Sequence, residues 1–285
     1  MTLSKVNETR INEILSGKYQ DEQKQLDEAI ITGFKTVDNL LHGLQKGKLY
    51  LLSGCSEVKR QQFTYNIVNN VITQSDKRVL YITSQICNEE LIKNLILYNA
   101  RVDISHNISK HDWQRMLEAS KRFGNGNLWV NDAWDLSIYT IIRNCRKMME
   151  KPDFIIVEDL QSLCFHSSMD IMEEDVKKKY IIQSLKELAD EIGCAILLFT
   201  NQGIIPYIDK RKKTADYMER YVDQLLYLFE DEYSDGINKN VIYLFVAKNV
   251  PKEEQIISFG YLPQYQKFFE LDFENEDPED EDLYD

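Results

Sequence analysis

Short apolar runs alternate with amphipathic segments along most of the chain, and this pattern restricts the fold more than any other feature of the sequence. The runs KLYLLS at 48–53, RVLYITS at 78–84 and FIIVE at 154–158 are apolar on most residues. Such runs are typical of parallel strands buried on both faces, and helical segments of about 10–15 residues between them indicate βαβ units. The sequence therefore predicts an α/β fold, in which a mostly parallel, twisted sheet carries helices on both faces.

The last two apolar runs, at 254–259 and 267–271, follow one another closely and predict a hairpin at the edge of the sheet. In a mostly parallel sheet, ligands bind beyond the carboxyl ends of the strands. Functional residues are therefore expected in the turns that follow the parallel strands. The first of these turns, at 53–60, carries the most information.

Composition and charge exclude several broad classes of protein. The chain has 285 residues, of which 43% are hydrophobic, so extensive disorder is not expected. Its apolar runs are far shorter than the roughly 18–20 residues of a membrane span, and residues 1–15 lack the apolar core of a secretory signal. The five cysteines show no CxxC spacing, and the histidines do not pair at ligand spacing. We therefore expect a cytoplasmic protein with reduced thiols, no membrane segment and no metal site.

Polarity and charge divide the chain into three predicted regions. Residues 1–30 are polar with a thin apolar stripe and predict a helical, linker-like segment. Residues 31–271 contain the alternating strands and helices and are expected to form one domain. Residues 272–285 carry nine acidic and no basic side chains, and this tail accounts for most of the net charge of −13. A solvated, disordered end and a partner-binding or nucleic-acid-mimicking segment are both compatible with such a run.

The turn after the first predicted strand has the frame of a phosphate-binding loop but few of its residues. It reads SGCSEVKR at 53–60, whereas a working loop reads G-x-x-x-x-G-K-[S/T]. In the working loop, glycine lets backbone N–H groups close on the phosphates, lysine reaches the terminal phosphates, and the hydroxyl holds Mg²⁺. Here only Gly54, in a shifted position, and Lys59 are retained.

The sequence around this turn resembles the C-terminal RecA-like motor domain of DnaB-type replicative helicases. The segment ITGFKTVDNLLHGLQKGKLYLLSG at 31–54 is similar to the family's approach to its phosphate-binding loop. FIIVEDLQSL at 154–163 is similar to the Walker B strand and its continuation. LKELADEIGCAILLFTNQ at 185–202 resembles the helix and strand that end at a sensor glutamine. These pieces, in order, cover roughly residues 31–271 and identify the chain as a divergent member of this family of P-loop NTPases.

The resemblance implies an ATP-driven hexameric ring that moves along single-stranded DNA during replication. It also implies a helix just before the motor domain that packs on the neighbouring subunit, and residues 1–17 could be a remnant of that helix. The family's N-terminal primase-interacting domain has no room in this chain. We therefore expect a homo-oligomer or a place in a related helicase ring.

Three positions that the family uses for phosphate and metal chemistry carry residues that cannot do this work. Val58 replaces the glycine before the loop lysine, and a β-branched side chain crowds the phosphate and resists positive φ. Arg60 replaces the magnesium hydroxyl and cannot ligate a cation. Gln85 replaces the carboxylate that orients the attacking water, and an amide is not a general base at neutral pH.

The remaining positions of the family pattern are partly retained. The Walker B aspartate falls on Glu158, with Asp159 beside it, so a carboxylate is kept with a different reach. The sensor glutamine falls on Asn201, which is one methylene shorter. Lys248 is kept, but the position of the finger arginine falls on Val250.

These losses predict that the chain does not hydrolyse ATP at a useful rate. An arginine finger is worth about 10³–10⁵ in the rate of phosphoryl transfer, and a general base about 10²–10⁴. We therefore name no catalytic residue and no metal ligand, and the sequence gives no support for bound Mg²⁺. ATP could still bind without efficient hydrolysis; alternatively, Lys59 and Arg60 face solvent or pair with Glu57 and Glu158. The candidate nucleotide-binding residues are Ser56, Lys59, Arg60, Gln85, Glu158, Asp159, Asn201 and Lys248.

Contact with single-stranded DNA is expected to be weak. In the family an R-x-S-G stretch touches the DNA backbone, but the corresponding segment DYMERYV at 216–222 is shorter and lacks that glycine. One dense basic patch could contact phosphates or could be a solvated loop. Its residues are Lys210, Arg211, Lys212 and Lys213. A mildly acidic body with a strongly acidic tail argues against tight general DNA binding.

Three functions are compatible with the sequence. The first, which we favour, is a helicase-family protein of DNA replication or recombination that has lost ATP hydrolysis and acts as a binding or scaffold module. The second is a working ATP-dependent DNA helicase or ATPase with atypical motifs. The third is a nucleotide-independent protein-interaction module that retains only the fold.

Overall fold

A computed structural model of the chain describes residues 28–124, 126–133, 136–164, 173–200, 220–230, 240–247 and 255–271. The predicted N-terminal segment up to residue 27 and the acidic tail from residue 272 lie outside these residues. The division of the chain at residues 30 and 271 therefore stays a prediction.

The helices of the described residues mostly alternate with strands along the chain, as the sequence pattern predicts. They are α1 (Lys35–Leu41), α2 (Glu57–Gln74), α3 (Asn88–Ala100), α4 (Lys110–Arg122), α5 (Ile138–Lys147) and α6 (Glu174–Ile192). Single 3₁₀ turns occupy Leu160–Ser162 and Pro263–Tyr265.

The strands of the described residues are short, and the first five are separated by helices. They are β1 (Leu49–Gly54), β2 (Val79–Ile82), β3 (Leu128–Asn131), β4 (Phe154–Val157), β5 (Ala195–Phe199), β6 (Gln224–Glu230), β7 (Val241–Ala247), β8 (Gln255–Leu262) and β9 (Lys267–Glu270).

These strands form one sheet in the order β3-β2-β4-β5-β1-β6-β7-β8-β9. All pairs from β3 to β6 are parallel, and the pairs from β6 to β9 are antiparallel. β1 lies between β5 and β6, so that Leu51 is opposite Leu198 on one side and Leu225 on the other. β8 and β9 form the predicted hairpin at the edge of the sheet, and this prediction is confirmed.

Successive residues of β1 alternate between two hydrophobic cores, one on each face of the sheet. Tyr50 and Leu52 pack with buried residues of α1, α2 and α3. Leu49 and Leu51 pack with buried residues of α5 and α6. All four side chains are buried, as the continuous apolar run predicts for a strand that is covered on both sides. The predicted α/β class, a mostly parallel sheet with helices on both faces, is confirmed.

Predicted and observed elements agree closely, with one difference that matters for the candidate site. The sequence pattern starts the helix after β1 at residue 60, but α2 begins at Glu57. Ser56 causes this earlier start, because its Oγ accepts a hydrogen bond from the Lys59 N–H at 3.3 Å and caps the helix. Residues 57–59, which were expected in the turn, are therefore helical. The pattern also missed α1, a helix of seven residues.

Gly54 ends β1 at a point where no side chain fits. Its φ is +83°, and a Cβ on this residue would lie 1.9 Å from the carbonyl oxygen of Leu228. Leu228 is the residue opposite Gly54 on the neighbouring strand β6. The close approach of β1 and β6 at the carboxyl end of β1 therefore requires glycine.

We expect Gly54→Ala to lower the free energy of unfolding by about 3 kcal/mol or more. The strain of positive φ, about 1–2 kcal/mol, adds to steric overlap with a fixed strand, about 1–3 kcal/mol. Gly193→Ala is the matched control, because Gly193 has a φ of +68° but nothing within 4 Å of an added Cβ. Urea unfolding of the two variants measures the difference. Equal losses would contradict the steric role of Leu228.

Candidate nucleotide-binding site

The candidate site lies at the carboxyl ends of β1, β2 and β4. Six of the eight predicted nucleotide-binding residues lie in the described part of the chain and gather at this edge. The other two, Asn201 and Lys248, lie outside the described residues, as does the basic patch Lys210, Arg211, Lys212 and Lys213. The roles given to Asn201, Lys248 and the basic patch therefore stay predictions.

The turn between β1 and α2 is tight and consists of only two residues beyond the strand. Cys55 has a φ of +41°, which L residues rarely adopt, and it follows Gly54, whose φ is also positive. Ser56 then caps α2, and the Arg60 N–H donates to the Ser56 carbonyl at 3.1 Å. The N–H groups of residues 59 and 60 therefore already bond within the protein, whereas a phosphate-binding loop keeps such groups for its ligand.

Arg60 occupies the inside of this turn. Its side chain is only 3% exposed, and Nη1 donates to the carbonyl oxygens of Gly54 at 2.5 Å and Cys55 at 2.9 Å. The turn thus presents oxygen atoms to a cation, where a phosphate cradle presents N–H groups to an anion. Burial lowers the pKa of Arg60, and the nearby acidic side chains, Glu57 above all, oppose that shift.

Lys59 forms its ion pair with a residue at the end of β6. Its Nζ forms a short ion pair with the carboxylate of Glu230 and lies 5.7 Å from the ring centroid of Tyr261. Cys55 Sγ lies 3.6 Å from the same Glu230 oxygen, Oε1. Burial raises the pKa of the Cys55 thiol to about 12, so this sulfur is protonated at neutral pH. The loop lysine is therefore neutralised by a carboxylate of its own chain.

Glu158 is fully buried and both of its carboxylate oxygens are occupied. The Tyr81 hydroxyl donates to Oε1, and Gln61 Nε2 donates to Oε2 at 3.2 Å. Burial raises the pKa of Glu158, although the hydrogen-bond donors around the carboxylate oppose this shift. A carboxylate in this state is poorly suited to hold a hydrated metal ion.

Asp159 and Gln85 bond to one another at the edge of the site. Asp159 has a φ of +66°, and its Oδ1 accepts from the Gln161 N–H at 3.0 Å, which caps the following 3₁₀ turn. Its Oδ2 accepts from Gln85 Nε2 at 3.3 Å. The structure thus places the Asp159 carboxylate against the Gln85 amide.

Sequence reasoning missed three residues that define this arrangement, namely Glu230, Gln61 and Tyr81. Glu230 had a usable signal, because it is the first charged residue after the apolar run of β6. Gln61 and Tyr81 had none, since one is a polar residue inside a helix and the other belongs to a buried strand. The sequence left two alternatives to nucleotide binding for Lys59 and Arg60, namely exposure to solvent or pairing with Glu57 or Glu158. Neither alternative describes Lys59, which pairs with Glu230.

The described residues contain neither a cluster of metal ligands nor a helix suited to crossing a membrane. No three His, Cys, Asp or Glu side chains of the described ranges come together as metal ligands. None of the described helices combines the length and the apolar character that crossing a bilayer requires.

Two solved structures share this fold. One, described as an ATPase domain, superposes with a TM-score of 0.75 over 93% of this chain and 100% of that chain, at 20% sequence identity. The structure of a DnaB-like replicative helicase and its interactions with primase gives a TM-score of 0.72 over 86% of this chain and 64% of that one, also at 20% identity.

Two curated relatives are similar over most of this chain. The replicative DNA helicase DnaC of Bacillus subtilis (strain 168) is 24% identical over 259 residues. The replicative DNA helicase DnaB of Geobacillus stearothermophilus is 22% identical over 257 residues. Each match includes 85% of this chain, and the chain spans 57% of the length of either relative.

The sequence model of one family matches nearly the whole described domain. That family is the DnaB-like helicase C terminal domain, and the match runs over residues 29–270. Its extent agrees with the resemblance seen along the sequence and with the shared fold. The chain belongs to the DnaB-like helicase C-terminal domain family.

Proposed function

We propose that this chain is a member of the replicative helicase family that has lost ATP hydrolysis and serves DNA replication or recombination as a binding or scaffold module. The observation that carries the proposal is the Arg60 guanidinium, which bonds to the carbonyl oxygens of Gly54 and Cys55 inside the turn. In a working member of such a family the same space holds phosphate oxygens.

The free energies of these interactions favour a site that is closed to nucleotide over one that is open to it. Hydrogen bonds to charged groups contribute about 1.5–3 kcal/mol each, so a ligand that displaces Arg60 from two carbonyl groups gives up several kcal/mol. A phosphate that entered without displacing it would face two carbonyl oxygens. The Lys59–Glu230 pair is partly exposed and adds only about 0–1 kcal/mol. Arg60 is therefore the main obstacle to nucleotide, and Lys59 a smaller one.

The partners that we propose follow from the family. The relatives are replicative DNA helicases, and one solved relative is described together with its interactions with primase. We propose that this chain joins a ring of its own copies or of related helicase subunits, where a subunit without turnover would act through its surfaces. Weak binding of single-stranded DNA through Lys210, Arg211, Lys212 and Lys213, and a cytoplasmic location, belong to the same proposal.

The first test is steady-state phosphate release at saturating ATP and Mg²⁺, with and without single-stranded DNA. We expect turnover below about 10⁻² s⁻¹, because typical enzymes reach about 1–10³ s⁻¹ and an arginine finger alone is worth about 10³–10⁵. The Bacillus subtilis relative serves as the positive control in the same buffer. Turnover near 1 s⁻¹ would overturn the proposal and favour a working ATPase with atypical motifs.

A second test asks whether the chain's own carboxylate competes with nucleotide for Lys59. We expect Glu230→Gln to strengthen binding of a fluorescent ATP analogue by about threefold to tenfold, because it frees one loop cation and removes a negative charge. Glu191→Gln is the matched control, since Glu191 also pairs with a basic residue, Arg146, on other elements of the fold. Fluorescence anisotropy measures both. Unchanged affinity in Glu230→Gln would show that Glu230 does not compete with nucleotide for Lys59.

A third test uses the pH dependence of stability. The pKa of Glu158 is raised in the folded state, so its contribution is complete below the unfolded pKa and is lost as pH rises through the folded pKa. Glu158→Gln removes that loss while an amide oxygen can still accept from Tyr81. We therefore expect the variant's advantage over the parent in urea unfolding to grow as pH rises from the unfolded pKa towards the raised folded pKa. An advantage that stays constant or shrinks over this range would contradict the buried-acid assignment.

A further inference from the structure

A polar cavity lies on the face of the sheet that α1, α2 and α3 cover, away from the turn that holds Arg60. It is bounded by the loop before α1, the carboxyl-terminal half of α2, the end of α3 and the edge strand β9, and has a volume of about 610 Å³. Asn70, in its wall, is eleven residues after Lys59 on α2, which places the cavity about 16 Å along the helix from the loop lysine. The cavity is thus separate from the candidate nucleotide-binding site.

Three cations line this cavity, and none of them has a carboxylate partner in the part of the chain that the structure describes. Arg101, Arg122 and Lys267 lie in its wall, and in the described ranges none of their side chains forms an ion pair. The one acidic residue of the wall, Glu270, hydrogen-bonds to the backbone at the start of α1. Its Oε1 accepts from the N–H groups of Thr36 at 2.7 Å and of residue 37 at 3.3 Å, at the start of α1. The cavity therefore carries an excess of positive charge.

Four asparagine side chains also lie in the wall and are held by one another and by their neighbours. Asn99 Nδ2 donates to Asn69 Oδ1 at 2.5 Å, and Tyr98 donates to Asn66 Oδ1 at 2.8 Å. Asn70 Nδ2 donates to the carbonyl of residue 32 at 3.0 Å. These bonds fix the amides but leave Asn69 Nδ2 and Asn70 Oδ1 without a partner among the described residues, so both can serve a ligand.

The cationic side chains are presented from unusual backbone. Arg101 ends α3 with a φ of +51°, and Lys267 follows Gln266, whose φ is +53°. Arg115 Nη2 donates to the carbonyl oxygen of Arg101 and holds the end of this helix in place. Burial, with the nearby Arg101, lowers the pKa of Lys267, and a bound anion would relieve this repulsion. Like charges brought together at a cavity are typical of a functional site.

We propose that this cavity binds a small phosphate-bearing, hydroxyl-rich molecule such as a sugar phosphate. Guanidinium and ammonium groups bind phosphate oxygens through charge-assisted hydrogen bonds, and the fixed asparagine amides match the donors and acceptors of hydroxyl groups. The volume lies within the range of about 300–1,000 Å³ for small-molecule sites and suits one such molecule better than a nucleic-acid strand. This site does not depend on the state of the nucleotide turn.

The test is calorimetric titration of the full chain with ribose 5-phosphate, with ribose and inorganic phosphate as parallel probes. We expect saturable binding of ribose 5-phosphate, weaker binding of phosphate and none of ribose. Arg101→Gln and Lys267→Gln should each weaken binding by about tenfold. Lys121→Gln is the matched control, because Lys121 is an exposed cation on α4 outside the cavity wall, and it should leave binding unchanged.

Several outcomes would overturn the proposal. They are no binding of ribose 5-phosphate at millimolar concentration, equal binding of ribose, or equal weakening by Lys121→Gln. Displacement by an equimolar short single-stranded oligonucleotide would also overturn it, and would reassign the cations to a nucleic-acid backbone. Thermal melting of each variant shows whether it is folded, and Arg122→Gln replaces either cavity variant that is not.

Discussion

The hydrogen bonds from the Arg60 guanidinium to the carbonyl oxygens of Gly54 and Cys55 determine what this sheet edge can bind. A buried cation requires acceptors, because leaving it unpaired costs several kcal/mol. The turn supplies them through two successive residues of positive φ, which aim their carbonyl groups inward. In this conformation the turn offers its carbonyl oxygens to a cation from its own chain. In the function that we propose, the Arg60 side chain therefore fills the turn in place of a phosphate.

The remaining groups at this edge follow the same principle, since each meets a partner from its own chain. Lys59 meets Glu230, which β6 delivers because Gly54 and Leu228 are opposite one another in the sheet. Glu158 meets Tyr81, which β2 delivers beside β4. In a nucleotide-dependent site such groups bind phosphate and metal, so the folded state without ligand carries unpaired charge. Here the pairing is internal, and the folded state needs no ligand to neutralise these side chains.

How much of this could be predicted differs between the sheet and the site. The apolar run of β1 predicted a strand covered on both faces, because every one of its side chains must be buried somewhere. Val58 was expected to resist positive φ, and in the structure this residue is helical with a side chain that is 56% exposed. The start of α2 was placed too late because the apolar residues at helical spacing begin only at Phe63, whereas the cap at Ser56 sets the start at Glu57. The contact between Lys59 and Glu230 joins residues 171 positions apart, and no local pattern encodes a pairing that depends on strand register.

The two regions of the molecule that concentrate positive charge illustrate what decides where an external anion binds. At the turn, Arg60 and Lys59 are matched by two carbonyl oxygens and one carboxylate, so little attraction is left for a ligand. At the cavity, Arg101 and Lys267 lie close enough to repel, and the nearest acid, Glu270, is bonded to the start of α1. The number of cations is similar in both places, but among the described residues only the cations of the cavity have no carboxylate partner. Local compensation of charge, more than the presence of a motif lysine, therefore decides how strongly each place attracts an external anion.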